Sequence, residues 1–149
     1  MILRLVLLSL LFAVPASATK DDLRSISAMR EHYRVLIVFA PSLADARLAS
    51  QRAILAQLAL DAAKRDLVFV QVDQRTVIGA HDDSDKLRHR FGVPVLKYHA
   101  ILLDRDGRVL REASGPMEGT AILHAIDAAP LRRAEVKRAR AGKAVVDKS

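Results

Sequence analysis

The feature that most constrains the fold is a pair of short apolar runs, RVLIVF from Arg34 to Phe39 and LVFVQV from Leu67 to Val72. Each is rich in β-branched residues and has almost no polar alternation, the pattern of a strand covered on both faces. Pro41 bars the first run from continuing. Between the runs, Leu43 to Lys64 has helical spacing: Leu48, Leu55, Leu58 and Ala62 share a face, while Arg47, Gln57, Asp61 and Lys64 face away. Ser42 is placed to cap this helix, and Asp45 in its first turn would favour the positive helix end. Strand, helix and strand of these lengths make a right-handed βαβ unit with parallel strands.

The remainder of the chain reads differently. DDLRSISAMREHY, ahead of the first strand, is compatible with a short helix or an edge segment. DDSDKLRHRF, Asp82 to Phe91, reads as an acidic helix start followed by a short helix. In YHAILLDRDGRVLRE, Tyr98 to Glu112, two apolar strands flank Arg105-Asp106-Gly107, and Asp-Gly marks a hairpin. SGPMEGTAILHAIDAAP follows, with Pro116 expected in a first helical turn. Ile122, Leu123, Ile126 and Met117 are candidates for its buried stripe, and Pro130 is its stop. The order is βαβ, a connecting helix, then ββα: an α/β fold with a central mixed sheet flanked by helices.

The first 18 residues are expected to be a cleaved leader. MILRLVLLSLLFAVPASA has Arg4, an apolar run from Leu5 to Val14, Pro15 as a breaker and Ala16-Ser17-Ala18 as a small-residue cleavage site. That run is short for a bilayer span. Removal after Ala18 predicts a secreted or periplasmic chain starting at Thr19, with one domain over 19–131 and a basic tail over 132–149. The 149 residues, 51% of them apolar, suit one domain with its own core. There is no cysteine. A disulfide scaffold, a cysteine zinc site and thiol redox catalysis by this chain are thereby excluded, although an exported protein would meet conditions that permit disulfides.

Several stretches carry a family resemblance. Ala40-Pro41-Ser42-Leu43-Ala44-Asp45-Ala46-Arg47 stands where thioredoxins carry Ala-Pro-Trp-Cys-Gly-Pro-Cys-Lys, so that Leu43 and Ala46 take the places of the two cysteines. AILLDRDGRVLRE is similar to the peroxiredoxin branch, in which an Ile-Asp-x-Asp-Gly turn is frequent. YRVLIVFAPS, LRHRFGVP, LLDRDGRV and AIDAAPLRRAE, with Ile126, Asp127, Pro130 and Arg132 in an Ile-Asp-x-x-Pro-x-Arg pattern, resemble the peroxiredoxin-like domain of unknown function called DUDES. The resemblance implies a thioredoxin-like fold and an exported protein, and brings no reaction with it. Gly92-Val93-Pro94 resembles the segment that holds the cis-proline of thioredoxins, whereas the general preference of such a bond is trans.

Candidate sites divide between the turn and the tail. Ser42, Leu43 and Ala46 form a degenerate thioredoxin-type turn with no ionisable side chain for the helix dipole to activate; free amide groups there would favour an anion unless Ser42 caps them. No catalytic residue is assigned, because no nucleophile elbow surrounds Ser42. His81, Asp82, Asp83 and Asp85 lack the spacing of a calcium loop or zinc motif, so neither a metal nor any other cofactor is expected. The tail holds seven basic residues against two acidic ones, leaving +5, while 19–131 carries about +1. Arg132, Arg133, Lys137, Arg138, Arg140 and Lys143 are therefore the candidate anion-binding residues, the alternative being a solvated terminus. The expected function is a non-catalytic binding or adaptor module of the cell envelope, with an unidentified protein or an anionic envelope component as partner. No physiological nucleic acid and no transmembrane segment in the mature chain are expected. The alternatives are an enzyme with non-cysteine chemistry and a periplasmic chaperone-like factor.

Overall fold

The computed structural model describes residues 24–146, so the expected leader at 1–18 lies outside the described residues. In chain order the elements are α1 (Ile26–Met29), β1 (Arg34–Phe39), α2 (Ala46–Gln57), α3 (Ala59–Ala63), β2 (Leu67–Val72), β3 (Val77–Ile78), α4 (Ser84–Phe91), β4 (His99–Leu103), β5 (Val109–Ala113), α5 (Gly119–Ala128) and α6 (Pro130–Val146). The sheet order is β3-β2-β1-β4-β5. β1 and β2 are parallel, with Arg34 opposite Leu67 and Phe39 opposite Val72. β1–β4, β2–β3 and β4–β5 are antiparallel. The expected βαβ–α–ββα order is formed, with β3 added as a short edge strand.

All six residues of β1 are buried, as an unalternating apolar run at the sheet centre requires. Its side chains divide by the two-residue period of a strand. Val35, Ile37 and Phe39 join Ile26, Met29, Leu87 and Val93 beneath α1 and α4. Leu36 and Val38 join Leu48, Tyr98, Met117, Ile122 and Ile126 beneath α2 and α5. The result is three layers with the sheet in the middle. The Asp-Gly hairpin closes through Gly107 N–H to Asp104 O at 2.9 Å and Asp104 N–H to Arg108 O at 2.8 Å. Gly107 has φ +84°, a backbone state that glycine reaches without the penalty of a side chain.

Three local expectations are corrected. The helix predicted from Leu43 starts at Ala46, because Ser42 closes a turn of its own and Asp45 is the cap, accepting from Arg47 N–H at 2.9 Å. It is also interrupted at Leu58, whose side chain packs where a Cβ on Gly119 would otherwise sit, 2.8 Å from Leu58 Cδ1. Pro116 precedes the last core helix instead of lying in its first turn. The next residue, Met117, is held out of the helix by Gln51: Met117 N–H donates to Gln51 Oε1 at 2.7 Å and Gln51 Nε2 donates to Met117 O at 3.1 Å. Pro130 does end α5, but it also starts α6, where its missing N–H costs nothing. α6 runs straight through the boundary placed between Leu131 and Arg132. Among the described residues no peptide bond is cis, Val93–Pro94 included, and no helix is long and apolar enough to cross a membrane.

Candidate functional site

The two candidate regions lie at opposite poles of the sheet. The degenerate turn follows Phe39 at the end of β1, and α6 packs near Arg34 at its start. Six strand residues at about 3.3 Å each put roughly 20 Å between them.

At the turn, the amide groups that could have received an anion are already used. Ser42 Oγ accepts from Ala44 N–H at 3.1 Å, and Ser42 O accepts from Asp45 N–H at 3.1 Å. The Asp45 carboxylate takes Arg47 N–H, and its Oδ2 pairs with the Arg47 guanidinium at 2.7 Å. That hydrogen bond from the Arg47 side chain, with backbone donors beside it, holds the Asp45 carboxyl below its ordinary range despite the opposing effect of burial. The Leu43 N–H faces Asp73, while Leu43 O is held by Arg52 at 2.9 Å and Pro41 O by Gln74 at 3.1 Å. Leu43 and Ala46 bring no titratable atom. The turn is thus closed by Ser42 and two carboxylates, an environment unfavourable to an anion.

Two residues near this pole carry chemistry that sequence reasoning did not single out. Arg88 is buried on α4 and donates to Ala40 O at 2.8 Å, Pro94 O at 2.9 Å and Asp73 O at 3.4 Å. It ties the ends of β1 and β2 to the Val93-Pro94 loop, and burial lowers its pKa from the usual arginine value. Tyr98 is only 4% exposed, its hydroxyl has no hydrogen-bond partner among the described residues, and Arg47 stands over its ring at 4.9 Å from the centroid. Burial pushes the phenol up to about 12, with the Asp45 charge adding to the effect. Neither residue type is distinctive on an amphipathic helix or at a strand start, so the sequence carries no mark of either role. The acidic stretch at 81–85 is structural: Asp82 Oδ2 accepts from Ile26 N–H at 2.8 Å, Asp83 caps α4, and Ser84 Oγ donates to Asp73 O.

At the other pole a charge network fixes α6. Arg34 is fully buried at the start of β1. Its Nη1 donates to Arg65 O at 3.0 Å and its Nη2 to Glu135 Oε1 of α6 at 2.9 Å. Its Nε lies 3.0 Å from Asp104 Oδ1, close enough for an ion pair but not aligned as a hydrogen bond. Glu135 Oε1 is also 3.3 Å from Arg105 Nη1, and Oε2 accepts from Arg132 Nη1 at 3.3 Å. Arg105 pairs further with Asp66, which adopts φ +51° at the turn into β2. Arg65 grips Asp127 with two bonds of 2.9 and 2.7 Å. Burial alone would push the Glu135 carboxyl up, but the Arg34 hydrogen bond and the charges of Arg34, Arg132 and Arg105 outweigh it and set the pKa below the usual 4.5. The Arg65 hydrogen bond likewise holds Asp127 below its usual 3.8.

Of the predicted anion-binding residues, Arg132 is thus committed to Glu135. Arg133, Lys137, Arg140 and Lys143 are exposed, and their side chains carry no ion pair or hydrogen bond among the described residues. At 100° per residue these four lie on one flank of α6 with Arg132, while Arg138 falls on the other. The structure brings Arg132, Arg133, Lys137 and Arg140 into one groove of about 520 Å³ with Arg65, Asp127 and Val136. Arg132, Val136 and Arg140 also line an adjoining groove of about 460 Å³ with Lys143, Ala139, Asp66 and Arg105. Arg138 instead joins Arg30, Glu31 and Asp106 in a separate hollow.

The chain belongs to the family described as Domain of unknown function (DUF4174), whose model matches residues 25–135. No curated protein matches it. Among solved structures it is similar to the reduced 2-Cys peroxiredoxin of Plasmodium vivax, with 14% identity, a TM-score of 0.57, and coverage of 69% of this chain and 80% of that chain. At that identity the likeness concerns the fold, which is thioredoxin-like α/β. The match to the family model reaches Glu135, so Lys137, Arg138, Arg140 and Lys143 lie beyond it.

Proposed function

We propose that this DUF4174 member is an exported, thiol-free binding or adaptor module whose binding surface is the cationic flank of α6. The single observation that carries the reading is the set of four unpaired basic side chains, Arg133, Lys137, Arg140 and Lys143, on a helix that Glu135 fixes to the body. The self-closed turn supports it by contrast, since its donors are spent internally and the chain has no cysteine. Export rests on the leader pattern ending at Ala18, and the finer resemblance to the DUDES domain rests on the four motifs quoted above. The partner on this reading is an anionic component of the envelope.

The test is a variant carrying Arg133→Gln, Lys137→Gln, Arg140→Gln and Lys143→Gln, compared with the parent chain on acidic matrices and anionic vesicles across a salt series. Because none of the four side chains is paired, the variant is expected to melt like the parent and to lose retention at low salt. Equal retention of the two proteins removes α6 as the binding surface. Amino-terminal sequencing of the protein recovered from outside the cytoplasm checks export, with Thr19 as the expected first residue.

A further inference from the structure

We propose that the two adjoining grooves together form one binding face that takes a linear acidic polysaccharide, laid lengthwise along α6. This rests on the binding reading above and names the partner class. The grooves share Arg132, Val136 and Arg140, a row that runs along the helix, and they lie side by side along it. From Arg133 to Lys143 the axial run is about 15 Å at 1.5 Å per residue. A chain-like ligand can follow that run and meet all four cations in sequence.

The walls distinguish the ligand further. Asp127 and Asp66 are half exposed, at 47% and 42% of their side chains, and each is paired with an arginine of its own wall. A uniformly anionic strand would meet these carboxylates as repulsion. A polysaccharide alternates acidic groups with hydroxyls, and the hydroxyls can donate to the carboxylates while the acidic groups meet Arg133, Lys137, Arg140 and Lys143. Val136 and Ala139 supply an apolar floor for the C–H faces of sugar rings. Among the described residues no aromatic side chain lines either groove, so base stacking, the usual hold on a single-stranded nucleic acid, has no platform there.

The experiment titrates the full chain with sulfated and uronic-acid oligosaccharides of graded length, with poly-dT, and with vesicles containing phosphatidylserine, at matched salt. Affinity for the oligosaccharides is expected to rise with length until the chain spans the run from Arg133 to Lys143 and then level off. Against the longest of them, log affinity should fall linearly with log salt, and more steeply for the sulfated than for the uronic-acid chain, whose charges are sparser. Arg140→Ser with Lys143→Ser should weaken this binding about tenfold, which corresponds to ~1.4 kcal/mol, and leave the melting temperature unchanged. Tighter binding to vesicles or to poly-dT than to any oligosaccharide overturns the polysaccharide assignment while leaving a cationic binding surface. Absence of binding to all the polyanions overturns both.

Discussion

At the scale of single residues, each pole holds one group whose ionisation the fold shifts, Tyr98 upward and Glu135 downward. The Tyr98 hydroxyl is buried without a partner, and a group so placed costs about 1–3 kcal/mol. Tyr98→Phe is therefore expected to raise stability by ~1 kcal/mol, read as a higher denaturation midpoint at neutral pH. It also changes the alkaline limb. With the folded phenol at about 12 and the unfolded one near 10, the unfolded chain loses its proton first. Stability should then fall as pH rises from about 10 towards 12, and the Phe variant should lack that part of the loss. Glu135 works in the opposite sense. Its lowered pKa gives stability that is present above the ordinary 4.5 and is lost as pH falls through the folded value. Glu135→Ala leaves the buried Arg34 short of its best-aligned acidic partner, and about 2–4 kcal/mol is expected to go. A thermal melt at pH 7 no different from the parent would show that Asp104 alone suffices for Arg34.

At the scale of elements, β1 and the Asp-Gly hairpin are the parts most legible in the sequence. Six consecutive apolar-flanked residues admit only a strand covered on both sides, and Arg105-Asp106-Gly107 admits little but a tight turn. Val38→Asp places a carboxylate among Leu36, Leu48 and Ile122, and insoluble or unfolded protein is the expected result, since such burial costs several kcal/mol; soluble protein with a near-parental melt would contradict the central position of β1. The start of α2 was less legible because Ser42 and Asp45 are both good caps, and spacing alone does not rank them. Their order has a chemical result. With Asp45 at the cap, a thiol introduced by Leu43→Cys stands three residues ahead of the helix and beside a carboxylate. Its pKa is expected to stay at or above the ordinary ~8.5, by the pH dependence of its alkylation rate; a value below 7 would mean that the helix end still activates this position. Gln51 left a faint trace, a polar residue at the buried spacing between Leu48 and Leu55. Arg34 left none, because its acidic partners are 70 and 101 positions away in sequence.

At the scale of the whole molecule, charge is separated from the region where related folds place their thiols. The excess of positive charge sits on one helix at the far pole, and the four-glutamine variant of that helix tests whether binding goes with it. Composition alone located this charge but not its attachment: Glu135 is a lone acid among basic residues, and nothing local says that it faces inwards. That attachment has a mechanical consequence. Among the described residues α6 extends about eleven residues past its clasp, so a polymer held along it would act on the protein as on a lever. Tension would pass through the backbone into α5 and through Glu135 and Arg34 to the start of β1, which is gripped on either side by β2 and β4. A pull along β1 loads both ladders in shear, with every hydrogen bond sharing the force, while the ionic clasp bears its share through a few contacts. The clasp would open before the ladders, letting α6 swing on its backbone joint at Pro130 while the sheet stays intact.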